Sequence, residues 1–393
     1  KAMSLNEIVI SASKFEQSKK EVPQNIISIN SKAIQLSNPQ TSADLLSNSG
    51  RVFVQKSQLG GGSPMIRGFS TNRLLITVDG VRMNNAIFRG GNVQNVISIN
   101  PFNVENTEII LGSGSVIYGS DAIGGVMNFY TISPKLSETT TPDLSARSTI
   151  RYASASQEKT AHLDFNVGFQ KWGFHSSVSV SDFGDLEMGA NGLEDYLSLN
   201  YSTSVNGQDI MVSNTTPRVQ KFTNFSQMHL AQKVLYKSND DLKFDLGLHY
   251  STTSDYPRYD RLSTYDSDGV LHYAEWNYGP QDWFLANLQM TKLSSGSSLY
   301  DKIKISSAYQ NFKESRINRK FNSDTRKVRK ENVDALSLNF DFYKSLSTRS
   351  NISYGTEYIY NKVGSSGYKI NIDTNTTEAI ATRYPNHSTW QTL

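Results

Sequence analysis

Three apolar runs between Met65 and Asn128, each cut short by glycine, constrain this chain more than any other feature: MIRGF (65–69), LLITVDGVRMN (74–84) and IILGSGSVIYGSDAIGGVMN (109–128). Residues 74–78 are apolar or β-branched, and Asp79-Gly80 closes them with a dipeptide that readily supplies positive φ. This predicts a strand and a tight turn. Residues 109–111 predict a second strand. Gly112, Gly114, Gly119, Gly124 and Gly125 then follow too densely for a helix interior, so backbone segments must pass close together there.

Beyond about Leu144 the pattern changes to period two. Leu144, Ala146, Ser148, Ile150 and Tyr152 alternate with Ser145, Arg147, Thr149 and Arg151. One face therefore suits apolar surroundings, while the other carries two arginines toward a polar interior. Nine such strands are predicted, over 144–155, 159–170, 172–184, 222–237, 241–254, 282–294, 298–312, 333–345 and 350–362. Short connections (170–171, 238–240, 295–297, 346–349) alternate with long ones (185–221, 255–281, 313–332), apart from the short 156–158. That parity fits a membrane barrel with turns on one side and loops on the other better than it fits a sandwich. Trp172, Tyr236, Tyr250, Trp283, Tyr300, Tyr309, Tyr343, Tyr354 and Tyr358 lie near strand ends, where an interfacial girdle belongs. No apolar run is long enough for a spanning helix. The mean hydropathy of −0.45 is neutral toward strands that alternate.

The order and spacing of the glycine blocks resemble the plug domain of TonB-dependent outer-membrane receptors, and NEIVISASKFEQ (6–17) is similar to that family's coupling segment. In pattern the chain resembles the haem/haemoglobin and vitamin B12 receptor branches most. The resemblance implies an N-terminal α+β plug domain followed by a transmembrane antiparallel β-barrel. Its expected divisions are a TonB-box segment over 1–17, a plug over 18–135, a linker over 136–143 and the N-terminal part of the barrel over 144–393. Barrels of this kind have about twenty-two strands, so nine strands imply a C-terminally truncated receptor whose open edges would be unstable in a membrane.

No nucleophile elbow, phosphate loop, dinucleotide fingerprint or histidine pair at ligand spacing occurs, so no enzyme activity and no catalytic residue is expected. By resemblance, Glu7, Ile8, Val9, Ile10 and Ser11 form the TonB box. An ordinary first strand of the plug would have the same β-branched composition. Outward plug loops would offer Gln58, Gly60, Asn84, Asn85, Phe88 and Arg89 to substrate, although turn chemistry accounts equally well for Gly60 and the asparagine pair. Arg67, inside MIRGF, is expected to latch plug to barrel through an ion pair. YPRYDRL (256–262) and AEWNYGPQDW (274–283) concentrate aromatics and arginine in one outer loop, which makes Tyr256, Arg258, Tyr259, Arg261, His272 and Trp276 candidates for ligand contact.

These strings resemble the haem branch, which implies iron carried as haem, haemoglobin or a siderophore complex. Residues 1–150 contain no histidine, so a plug ligand to haem iron is not available, and His272 and His387 remain in outer loops. Asp182, Asp185, Glu187 and Asp195 lack EF-hand spacing, so no metal site is assigned. No covalent cofactor is expected. The implied partners are TonB of the inner-membrane energy-transducing complex, outer-membrane lipid and an extracellular nutrient ligand, with a host haem protein among the candidates; nucleic acid is not one. Residues 1–135 hold twelve Lys and Arg against eight Asp and Glu, a slight basic excess that gives little steering at physiological salt. A vitamin B12 or glycan importer of the same family, and a non-transport adhesin or structural barrel, stay open as alternatives. The expected place is the bacterial outer membrane.

Overall fold

A computed structural model describes residues 8–87, 95–347 and 350–393. The N-terminal third holds a five-stranded sheet in the order Ile26–Asn30, Val104–Ile110, Gly125–Thr131, Leu74–Val78, Val81–Arg82. Leu74–Val78 is buried at every position, because both faces of the sheet are covered. Asp79 and Gly80 (φ 49° and 81°) make the predicted two-residue hairpin, with Val78 opposite Val81. The predicted close approach is at Gly125, where φ is 156° and a Cβ would stand 2.7 Å from the Ile110 carbonyl oxygen. One face of the sheet packs Leu45, Leu46, Ile66, Ile76, Ile97, Ile109, Met127 and Phe129 into a core that continues onto Trp283, Leu285, Phe312 and Val333 of the surrounding wall. The other face packs Ile26, Leu75, Ile110 and Val126 against Tyr118, Val9 and Ala12.

The wall is one antiparallel sheet whose nine long strands follow each other in chain order: Asp143–Ala153, Glu158–Gly168, Trp172–Phe183, Phe225–Lys237, Leu242–Thr253, Asp282–Leu293, Lys302–Lys320, Thr325–Ser347 and Ser350–Asn371. Its burial pattern is inverted relative to a soluble sheet. Along Glu158–Gly168, Thr160, His162, Asp164 and Asn166 are buried, while Leu163 and Phe165 are exposed. The same holds for buried Ser177, Ser179 and Ser181 beside exposed Val180, and for buried Asn339 and Asp341 beside exposed Leu336 and Leu338. Such a sheet suits hydrocarbon on its outer side and a polar filling inside. At the end where the plug enters, Trp172 stacks on Tyr236 (4.3 Å between centroids) and Tyr354 on Phe342 (5.0 Å). Trp283 departs from the predicted girdle, because it turns inward onto the plug.

The predicted long loop 313–332 is instead the top of a hairpin. Lys302–Lys320 and Thr325–Ser347 stay paired as far as Arg319 and Arg326. Residues 313–332 are mostly charged or polar, so the hydrophobic alternation ends while the ladder continues. Ser350–Asn371 outlasts its predicted end for the same reason. Ser388–Thr392, in a stretch expected to be outer loop, also pairs with Ser350–Asn371. The two true long connections carry structure of their own, including the hairpin Asn200–Val205 with Gln208–Ser213 and the strand Tyr273–Tyr278, which pairs with Lys302–Lys320.

Arg319 ties these outer segments together. Its guanidinium takes Asp209 in a two-pronged pair (2.7 and 2.8 Å) and reaches Glu275 at 3.0 Å, while Arg326 holds the same Glu275 at 2.6 and 2.8 Å. Burial would raise the Asp209 carboxyl, but the Arg319 hydrogen bonds outweigh it and hold the group below its ordinary 3.8. A depressed carboxylate contributes stability that is complete above the ordinary value and is lost as pH falls through the lower folded one. Pepsin cleavage between residues 200 and 213 should therefore increase as pH drops below about 4 in the wild type, and Asp209→Asn should abolish that dependence. On the wall, Leu163→Arg should lower folding stability in lipid vesicles by about 2–4 kcal/mol, with the adjacent lumen-side Thr160→Ser near neutral, as read by denaturant refolding.

Candidate functional site

Two groups of residues meet functional criteria: the segment before the plug, and the surfaces where plug, wall and outer loops touch. Glu7 lies outside the described residues. Ile8–Val9 pairs with Gln17–Ser18 as a short antiparallel ladder rather than joining the five-stranded sheet, so the segment is not an ordinary first strand. It lies across the second face of that sheet. Val9 is fully buried there, while Ile8 is 58% exposed. Ile10 donates its amide to Glu108 (3.0 and 3.1 Å), Ser11 donates to the same carboxylate at 2.7 Å, and the Tyr118 hydroxyl donates to the Ser11 carbonyl at 2.9 Å. Farther along, Lys14 pairs with Asp341 of the wall at 2.8 Å. A cavity of about 440 Å³, lined by Lys14, Phe15, Asp341, Tyr354 and Glu357 among others, separates this stretch from the eighth and ninth wall strands.

The plug is fastened to the wall at the predicted turn and its flank. Asp79 accepts from Lys233 at 3.2 Å and lies 3.6 Å from His249, while Gln289 donates to the Asp79 carbonyl. Burial alone would raise the Asp79 carboxyl; the Lys233 ammonium and the nearby His249 imidazole outweigh that and hold it well below the ordinary range. Arg82 pairs with Asp121 of the plug (2.7 Å) and with Glu357 of the wall (3.1 Å). Latching was expected of Arg67. That residue instead occupies an exposed hairpin turn with φ 51°, and Arg82 makes the plug-to-wall ion pair. From the wall side, Arg147 donates to the Phe102 carbonyl at 2.8 Å, and Arg151 to the Pro39 carbonyl at 2.8 Å. Both therefore point inward, as their alternation predicts.

At the outer end the structure brings Gln58, Gly60, Tyr256, Arg258, Tyr259 and Trp276 together. Gln58 donates to the Pro257 carbonyl and accepts from the Tyr259 amide at 2.7 Å. Gly60 lies under the Tyr256 ring so closely that a Cβ would stand 2.8 Å from it. Leu59, Phe183, Phe225, Tyr256, Trp276 and Tyr278 form one buried cluster. Arg258 pairs with Asp260 (2.7 Å), donates to the Tyr278 hydroxyl (3.0 Å) and stands over the Trp276 ring. These groups join plug to loop. Arg261 is exposed, Tyr259 is half-buried, and His272 is half-buried against Asp266 and Tyr273.

Asn84 and Asn85 differ from the expectation of ligand contact. Asn84 is buried, accepting from the Ile76 amide (3.1 Å) and donating to the Leu74 carbonyl (2.9 Å), while Asn85 accepts from the Ile87 amide two residues on (3.0 Å). Phe88 and Arg89 lie outside the described residues. His387 is exposed in the left-handed region (φ 60°). Asp185 accepts from the Thr223 and Asn224 amides, and no group of metal-ligating side chains forms among the described residues.

Sequence reasoning missed the inward histidines. His162, His175, His229 and His249 are all buried on the wall's inner face; His162 contacts Ser179 and Asp164, each at 2.7 Å, and stacks on Phe102. Their place on the polar register of alternating strands was the available signal. Glu108 was missed as well, and its register beside apolar Ile109 and Ile110 gave no sign of its partner.

Comparison with known proteins agrees with this architecture. Residues 18–126 match the TonB-dependent Receptor Plug Domain family. A vitamin B12 transporter BtuB of Vibrio vulnificus (strain CMCP6) is 34% identical over 207 residues, covering 51% of this chain and 33% of its own length. Among solved structures, the copper transporter OprC superposes with a TM-score of 0.64 at 15% identity, over 90% of this chain and 48% of its own. The ferripyoverdine receptor of the outer membrane of Pseudomonas aeruginosa superposes at 0.63 and 11% identity, over 92% and 45%. The chain thus spans about a third of that curated relative and about half of these solved receptors. With a plug-domain match over residues 18–126, a plug inside an inverted wall and a segment lying across the plug's face, the chain resembles the TonB-dependent receptors of the bacterial outer membrane.

Proposed function

We propose that the full-length protein is an active importer of a scarce nutrient, driven by TonB through residues 7–11. The observation that carries this reading is the coupling segment itself. It is held on the plug by backbone hydrogen bonds and two apolar side chains, yet leaves Ile8 exposed and belongs to no larger sheet. A short extended segment of that kind can leave the plug and add as a strand to the edge of a partner's sheet. Pulling it removes Val9 and Ala12 from the plug's second core. Burial of a valine side chain is worth about 1.5–3 kcal/mol, and together with the Ile10 and Ser11 amide bonds to Glu108 it makes an attachment of few contacts beside the many that join plug and wall. A pull therefore loosens the segment before the plug moves.

For the substrate, we propose a large metal-bearing organic cofactor, with a corrinoid of the vitamin B12 class first. The vitamin B12 transporters that resemble this chain support it, together with a plug that carries no histidine for haem iron. Haem is the second reading, favoured by exposed Arg261 and half-buried Tyr259 and His272 in the loop that carries the aromatic cluster. Siderophore complexes and glycans come after these.

Deletion of residues 7–11 from the full-length receptor should abolish uptake while ligand binding to cells persists; undiminished uptake would refute the coupling role. In a strain whose growth depends on this receptor, cyanocobalamin should support growth at nanomolar supply, and haemin should not. Growth on haemin alone would reverse the order of the two readings.

A further inference from the structure

We propose that Glu108 is the clasp of the coupling segment, the group whose loss of two backbone partners sets when the segment is freed. The proposal rests on the coupling reading above and names the residue that regulates it. Glu108 projects from the middle of the plug strand Val104–Ile110 and is fully buried. One carboxylate oxygen lies 3.1 Å from the Ile10 amide and 3.3 Å from the Asn106 side-chain amide. The other lies 3.0 Å from the Ile10 amide and 2.7 Å from that of Ser11. Two consecutive amides converging on one anion make a small concave site of the kind that binds anions, here with the anion supplied by the plug. Hydrogen bonds to an ionised acceptor are about twice as strong as neutral ones, and screening from water strengthens them further.

Three consequences follow from that geometry. Adjacent amides cannot leave independently, so both bonds break together and departure is cooperative. Once they break, the carboxylate keeps only the Asn106 hydrogen bond among the described residues, an unfavourable state that drives the segment back unless a partner holds it. Finally, the clasp grips main chain, which any sequence offers. The side chains of the segment are thereby left for the partner to read, as the exposure of Ile8 illustrates.

Residues 1–393 contain no cysteine, so Ile8→Cys in the full-length receptor, with any cysteine outside them replaced by serine, gives a single spin-label position. In vesicles without ligand, Glu108→Gln and Glu108→Ala should raise the mobile fraction of the label about tenfold or more. Ser11→Pro, which removes one donor and leaves the buried carboxylate in place, should also mobilise it. Ile109→Ala weakens the plug from the opposite face of the same strand and should leave the label immobile. A label as immobile in the Glu108 variants as in the parent would overturn the clasp, and so would equal mobility in Ile109→Ala. Uptake in cells reports the coupling reading separately: if removing residues 7–11 left uptake intact, coupling would fail even where the label responds to Glu108.

Discussion

The polar side chains along the inner face of the wall, from Thr160 and His162 to Asn339 and Asp341, are buried because the plug fills the space they face; they bond partly to one another and partly to the plug, as His162 does to Asp164 and Asp341 to Lys14. A strand exposed to hydrocarbon must satisfy its backbone through its neighbours and turn every other side chain toward lipid, which leaves the remaining half facing inward. Asn100 reaches Ser179 at 2.8 Å, Gln227 reaches the Ile97 carbonyl at 2.7 Å, and Gln310 reaches the Arg82 carbonyl at 2.8 Å. Plug and wall are thus joined by many individually modest bonds. Such an interface holds a plug firmly in register while allowing it to be unfastened piece by piece, which a continuous apolar seam would resist.

The attachments differ in kind along the chain. At the Asp79 turn, a carboxylate is held by an ammonium and its carbonyl by a glutamine amide, all from different wall strands. At the outer end, Gln58 and Gly60 dock beneath the aromatic cluster of the long loop. At the opposite end, the N-terminal segment is held by amides, two apolar side chains and the Lys14 pair. Many contacts around the plug and few at the segment give an order in which the parts come loose.

Much of this was legible in the sequence because it depends on local rules. The Asp79-Gly80 turn, the nine wall strands and the inward direction of Arg147 and Arg151 follow from turn chemistry and period two alone. What was hidden depends on partners far away in the chain. Arg67 and Arg82 both sit in apolar blocks, and nothing nearby distinguishes them; Glu357, which selects Arg82, lies 275 residues on. Asn84 reads as turn chemistry, but its amide bridges a strand edge ten residues back. The upper half of the hairpin at 313–332 was unreadable as strand for a different reason. Periodicity in a sheet is read from its apolar side chains, and residues 313–332 are mostly charged or polar.

That hairpin has a mechanical consequence. From Tyr309, opposite Leu336, the ladder continues ten residues to Arg319, opposite Arg326. At about 3.4 Å per residue, this adds roughly 34 Å of paired strand beyond Tyr309. Arg319 braces that length sideways against Asp209 and Glu275. That end of the sheet is thus a pre-stiffened hairpin instead of a slack coil, so little chain freedom is left to be frozen by a contact made there.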